Sequence, residues 1–154
     1  MKLLAGFEKW DSRFLELAHA IAKWSKDPST QVGCIIVDEH RRIISTGYNG
    51  FPRGVLDLEE HYADREQKYP RVVHAETNAI LFAKQPLQDA TLYCTFTPCP
   101  NCAGLIIQSG VKRVVVQTNK SDERYAKSFE ISRQMLTQAG VGIHTYPSPD
   151  STVK

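Results

Sequence analysis

The stretch TLYCTFTPCPNCAGLIIQSGVKRVVVQ, residues 91–117, decides the fold class of this 154-residue chain. Thr91 to Thr95 reads as a short strand. Pro98 then fits the first turn of a helix, where its missing N–H costs nothing, and Cys102, Leu105, Ile106 and Ser109 fall on one face. Gly110 is a natural stop, and Arg113 to Gln117 is the next strand. A helix set between two strands predicts an α/β chain, so the flanking sequence is read for more of the same alternation.

Downstream, Tyr125 to Ala139 carries Phe129 and Leu136 inward as a helix, and Val141 to Tyr146 follows Gly140 as a last strand. From Pro147 the chain reads as a frayed tail. Upstream, a helix that starts close to His74 and stops before Pro86 buries Ala75, Ala79 and Phe82. Before it, Val55 to Val73 is polar and without clear period, an excursion over the surface. Gln31–Val37 and Arg42–Gly47 form a hairpin about Asp38-Glu39-His40-Arg41, followed by the turn-rich loop Tyr48 to Gly54. A first helix carries Phe7, Trp10, Phe14, Leu17, Ala18 and Ile21 at helical spacing and ends before Asp27-Pro28. The order α-β-β-α-β-α-β-α-β predicts a three-layer α/β/α sandwich with a mixed five-stranded sheet, in one domain spanning 1–154. The N-termini of the helices at His74 and Pro98 then share one sheet edge, where ligands bind in such folds.

Composition narrows the function classes. Hydrophobic residues make up 42% and charged residues 23%, values of a globular chain. The net charge of +2 lacks the basic excess with which polynucleotide binders grip phosphates, so a small partner is expected. No apolar run reaches a membrane span, and Met1 to Trp10 holds no signal-peptide core, which points to a soluble, cytoplasmic protein.

The two segments meeting at the sheet edge are His74-Ala75-Glu76 and Pro98-Cys99-Pro100-Asn101-Cys102. One imidazole and two thiols suit zinc, and three ligands leave the fourth position open, as a catalytic site requires. Helix N-termini favour the thiolates. Glu76, two residues past the histidine, is placed to serve as general base and then general acid. The pattern H-x-E…P-C-x-x-C is the signature of zinc-dependent nucleobase deaminases. Cys94, four residues before Cys99, offers the competing closed Cys₃His site, although a buried thiol fits its strand better; Cys34 reads as a small core residue. A redox pair of Cys99 and Cys102 would leave the H-x-E segment unexplained.

Four further stretches extend the match: Ser25 to Gly33 (SKDPSTQVG), Gly47 to Gly54 (GYNGFPRG), Lys68-Tyr69-Pro70, and His74 to Ile80 (HAETNAI). From about Phe7 to Tyr146 the chain resembles the deoxycytidylate (dCMP) deaminases of the cytidine deaminase superfamily. The resemblance implies hydrolysis of dCMP to dUMP and ammonia, on the route to thymidine nucleotides. It implies one catalytic Zn²⁺ on His74, Cys99 and Cys102, Glu76 as proton shuttle, and Asn49 against the sugar hydroxyl. Candidates for the phosphate are Lys26, Ser29, Thr30, Arg53 and Arg124, with Ser29 and Arg53 preferred. Tyr125 either closes over the pyrimidine or packs in the core.

Many relatives are homohexamers activated by dCTP and inhibited by dTTP, so the resemblance also implies an allosteric effector loop at Gly47, Tyr48, Asn49 and Gly50, with Mg²⁺ on a triphosphate. The 19 residues between Gly54 and His74 contain no cysteine and one histidine, which predicts no second zinc. The competing readings are a deaminase for another cytosine nucleotide or nucleoside, a polynucleotide editor, and a non-catalytic zinc-stabilised interaction domain.

Overall fold

The computed structural model describes residues 6–117 and 123–148. Its elements are α1 (Gly6–Ala22), β1 (Gly33–Val37), β2 (Ile43–Tyr48), α2 (Glu59–Ala63), α3 (Arg65–Arg71), α4 (Ala75–Phe82), β3 (Thr91–Cys94), α5 (Pro100–Ser109), β4 (Arg113–Gln117), α6 (Ala126–Gln138) and β5 (Gly142–Tyr146). The five strands form one sheet in the order β2-β1-β3-β4-β5. Strand β1 runs antiparallel to both β2 and β3, and β3, β4 and β5 are mutually parallel, so the sheet is mixed as predicted.

Strand side chains point alternately to the two faces, and each face has its own core. Cys34, Ile36, Leu92, Cys94, Val114 and Val116 pack with Ala75 and Ala79 of α4, Ala103 and Ile106 of α5, and Leu136 of α6. Ile35, Val37, Tyr93 and Val115 pack with Phe14, Leu15, Ala18 and Ile21 of α1. Three helices therefore cover one face and α1 covers the other, which gives the expected three layers. Central β1 is buried along its whole length, whereas edge strand β5 is largely exposed.

Two glycines set how closely helices approach the sheet. A Cβ on Gly33 would lie 2.0 Å from the carbonyl oxygen of Ala18 in α1, and one on Gly47 would lie 2.4 Å from that of Ala75 in α4. Side chains at either position would push a helix off its face.

The stretch 55–73, expected as an irregular excursion, instead contains α2 and α3. Helices of five and seven residues are too short to display a hydrophobic period, so composition alone hides them. Contacts to the rest of the fold secure them: Tyr62 of α2 stacks on Phe51 at 4.0 Å, and Lys68 of α3 reaches Asp27 at 2.9 Å, while Asp64 caps α3 locally by accepting from the Glu66 N–H. Pro98 precedes α5 rather than opening it. A residue before proline avoids the α region, so Cys99 stays extended (φ −71°, ψ 167°) and the helix begins at Pro100. Phe82, expected buried, is 44% exposed, and Leu105, placed on one face with Cys102 and Ile106, is 45% exposed; the buried face of α5 runs through Cys102, Ala103 and Ile106. Of the tail expected from Pro147, residues 149–154 lie outside the described residues. No helix among the described residues is long and apolar enough to cross a membrane.

Asp11, unremarked among the apolar positions of α1, is fully buried. Arg113 grips it with both guanidinium nitrogens at 2.8 and 2.6 Å, while the hydroxyls of Tyr93 and Tyr146 donate to it at 2.9 and 2.7 Å. This network ties α1 to β3, β4 and β5. Burial pushes the Asp11 carboxyl up, but the hydrogen bonds from Arg113, Tyr146 and Tyr93 outweigh it and hold the group below its ordinary value. Asp11→Ala should cost about 3–5 kcal/mol of unfolding free energy, measured by urea denaturation at pH 7. A group with a lowered folded pKa contributes fully above its unfolded value of about 4 and loses that contribution as pH falls through the folded one. The difference between wild type and Asp11→Ala should therefore be constant at neutral pH and shrink below about pH 4.

Candidate active site

Two helix starts meet at one edge of the sheet. His74 is the N-cap residue of α4 and Cys99 that of α5, with Cys102 three residues further on. Neither cap side chain is spent on its own helix, because neither makes a capping hydrogen bond. The side-chain donor atoms of His74, Cys99 and Cys102 lie within 4.8 Å of one another. Cys99 Sγ and Cys102 Sγ stand 3.6 and 3.4 Å from His74 Nδ1. Packing of α4 against β2 at Gly47 and of α5 against α4 brings the three together from positions 25 and 28 residues apart.

The electrostatics suit a cation. The thiol of Cys102 and the His74 ring hydrogen-bond Cys99 and draw its pKa down to about 4, despite burial. The same contact with Cys99, together with burial, pushes Cys102 upward. The hydrogen bond with Cys99 raises His74, against the effect of burial. One imidazole and two thiols in this compass fit zinc and leave one tetrahedral position for a non-protein ligand.

Glu76 sits in the first turn of α4 and is 4% exposed. Burial raises its carboxyl, with His74 acting in the opposite sense. Its Oε1 accepts from the Cys94 thiol at 3.5 Å. Cys94 is thus engaged with the carboxylate and is not among the clustered donors, so the described residues provide no closed Cys₃His site. Cys94 faces Cys34 directly across β1 and β3, and both are buried. The thiol contact to Glu76 went unread in the sequence, because a strand position does not disclose which helix lies over it.

The remaining predicted residues divide by what already occupies them. Asn49 is buried: its Oδ1 accepts from Val32 N–H at 2.8 Å, and its Nδ2 donates to the Thr30 carbonyl at 2.8 Å and toward Asp27 at 3.4 Å. Ser29 donates its hydroxyl proton to Asp27 at 3.0 Å and accepts from Lys68 Nζ at 2.8 Å. Lys26 is paired with Asp57 at 2.8 Å on the surface. Arg53 lies 4.8 Å over the Phe82 ring, and Arg124 lies 5.5 Å over Tyr125. Tyr125, the N-cap residue of α6, meets Phe96 and Phe129 edge-on or tilted and remains 37% exposed. Thr30 is exposed, and its N–H donates to Asp27.

In the loop Gly47 to Gly50, the Tyr48 carbonyl accepts from Asn78 of α4. Gly50 exchanges two backbone hydrogen bonds with Val73, the residue before His74, at 3.1 and 2.8 Å. The loop is therefore fastened beside the segment that carries His74. Sequence reasoning missed Asp27 and Lys68, which join these residues from 41 positions apart. Both lie inside stretches that carry the resemblance, but only the fold shows that they touch.

The family model for the cytidine and deoxycytidylate deaminase zinc-binding region matches residues 8–118. The uncharacterized deaminase in luxG 3'region of Aliivibrio fischeri is 45% identical over 141 residues, which cover 90% of this chain and 95% of its own. Deoxycytidylate deaminase of Homo sapiens is 38% identical over 144 residues, covering 86% of this chain and 77% of its own. The crystal structure of dCMP deaminase from the cyanophage S-TIM5 in complex with dCMP and dUMP aligns with a TM-score of 0.70 at 26% identity, over 94% of this chain and all of that one. Sequence, fold and metal cluster agree: the chain belongs to the cytidine and deoxycytidylate deaminase family.

Proposed function

We propose that this chain is a zinc-dependent hydrolase that converts dCMP to dUMP with release of ammonia, supplying dUMP for thymidine nucleotide synthesis. The observation that carries the reading is the open His74, Cys99 and Cys102 cluster with buried Glu76 beside it. Those three residues would hold zinc, which when bound supplies a Lewis acid that makes water nucleophilic at neutral pH. Glu76 accepts the proton of the attacking water and returns it to ring N3, and then serves the departing amino group. Cys94 occupies Oε1, which leaves Oε2 for these transfers. Burial of Glu76 keeps bulk water from competing for the proton.

Hydrogen-bond inventory supports Asn49 as the sugar contact. Its oxygen has one lone pair uncommitted after the bond from Val32, and a sugar hydroxyl is a donor. Ser29 has no proton left to offer a phosphate in this arrangement, which shifts that role toward Arg53 and Arg124, whose guanidinium groups rest on aromatic rings. Tyr125 meets Phe96, three residues before Cys99, edge-on and is the candidate to cover the pyrimidine. In this reading the chain is one catalytic domain with a single zinc, acting in the cytoplasm as a homo-oligomer, a hexamer by resemblance. Gly47 to Gly50 then forms an effector loop for dCTP or dTTP with Mg²⁺.

The test is ammonia release by zinc-loaded protein from dCMP, deoxycytidine and CMP, with and without dCTP and Mg²⁺. Charge-assisted bonds to one phosphate should give dCMP an advantage of about 10- to 100-fold in kcat/KM over deoxycytidine. Equal turnover of the two overturns the nucleotide assignment.

A further inference from the structure

Lys68 is a buried lysine in a chain whose other described lysines are all exposed. An ammonium is rarely taken out of water unless it is paired, and a buried pair gives little net stability over apolar packing. Lys68 Nζ contacts Asp27 Oδ1 at 2.9 Å and Ser29 Oγ at 2.8 Å. Asp27 Oδ1 also accepts from the N–H groups of Ser29 and Thr30 at 2.9 and 3.1 Å, and Asp27 Oδ2 faces Asn49 Nδ2 at 3.4 Å. Burial pushes the Asp27 carboxyl up, but the bonds from Lys68, Ser29 and Thr30 outweigh it and keep the group anionic. The Asn49 amide is held at both ends, by Asp27 and Thr30 on its nitrogen and by Val32 on its oxygen. The next residue, Gly50, is bridged to Val73 beside His74, and α3, which carries Lys68, leads directly into that segment.

We infer that Lys68 is a positioning residue for nucleoside recognition: its ammonium fixes Asp27, and Asp27 fixes the Asn49 amide with one oxygen lone pair available to a sugar hydroxyl. The inference rests on the reading of Asn49 as the sugar contact. Without the ammonium, Asp27 loses its charge partner and the 25–30 turn is free to shift, so that Asn49 no longer presents a single orientation. The effect falls on discrimination at the sugar, since among the described residues no hydrogen bond joins this network to His74, Cys99, Cys102 or Glu76.

The experiment compares kcat/KM for dCMP and for 2′,3′-dideoxycytidine monophosphate, which lacks the 3′-hydroxyl, in the zinc-loaded full chain, with zinc content and thermal midpoint recorded alongside. The wild type should prefer dCMP by about 10- to 100-fold, and Asn49→Ala should bring that preference to within about 3-fold. Lys68→Met should do the same, mainly through KM for dCMP, with one zinc still bound, and Lys68→Arg should restore most of the preference. Lys68→Gln keeps an amide NH₂ as donor for Asp27 without the charge and is the variant to read if Lys68→Met does not fold; an intermediate preference is expected. A wild-type preference in every soluble Lys68 variant overturns the inference, even where the thermal midpoint falls. If Asn49→Ala keeps the wild-type preference, the sugar-contact reading of Asn49 fails instead, and the inference built on it falls for that separate reason.

Discussion

Glu76→Gln is expected to lower kcat by about 10²–10⁴-fold while the protein keeps its fold and its zinc. Glutamine matches glutamate in size, so the buried slot in the first turn of α4 stays filled, and its amide can still meet the Cys94 thiol. What disappears is a carboxylate able to accept a proton and give it back. The metal ligands are untouched, because Glu76 does not belong to the clustered donor set. Zinc stoichiometry, thermal midpoint and steady-state kinetics on the same preparation check the prediction. Wild-type turnover in this variant would remove Glu76 from the chemistry. Loss of zinc along with activity would instead assign it to the metal site.

The second large effect belongs to Cys102, which is 2% exposed and has its sulfur 3.4 Å from His74 Nδ1 and 3.7 Å from Thr77 Oγ1. Zinc affinities of roughly 10–16 kcal/mol in four-ligand sites assign about 2.5–4 kcal/mol to each ligand, so Cys102→Ala should weaken zinc binding by about 10²–10³-fold. Activity should vanish at zinc concentrations that saturate the wild type. Competition with a chromophoric chelator measures the affinity, and added zinc should restore part of the turnover in a concentration-dependent way. The fold should persist, because the two cores flanking the sheet do not depend on this sulfur. Unchanged zinc affinity in Cys102→Ala would mean that the cluster is not the metal site.

These two predictions concern residues that could be read directly from the chain. Cys99 and Cys102 are three apart at a helix start, and Pro100 forces Cys99 into the extended cap conformation that begins that helix, so their proximity is a local property. The same holds for His74 and Glu76. Strands were legible for a related reason: the runs Gly33–Val37 and Arg113–Gln117 are buried almost throughout, and such strands announce themselves as continuous apolar segments. The short helices α2 and α3 were not legible, since five and seven residues span fewer than two turns and the hydrophobic period has no room to repeat. The outward turn of Leu105 and Phe82 was missed because apolar character alone does not say which side of a helix meets the sheet.

By itself, then, the sequence determined the order of strands and long helices, the mixed five-stranded sheet, and the H-x-E and P-C-x-x-C segments that supply the His74, Cys99 and Cys102 cluster. The elements and the two segments follow from residues within one element or one turn, where spacing along the chain is nearly spacing in space, and the sheet follows from the order of those elements. Only the tertiary structure decided that Asp11 anchors α1 through Arg113, 102 positions away, that Cys94 donates to Glu76, and that Lys68 holds Asp27 and Ser29 beneath Asn49. Buried polar groups must find partners when water is removed, but their chemistry does not name the partner. That choice belongs to the packing of helices on the sheet, which brings distant donors and acceptors to the same few ångströms.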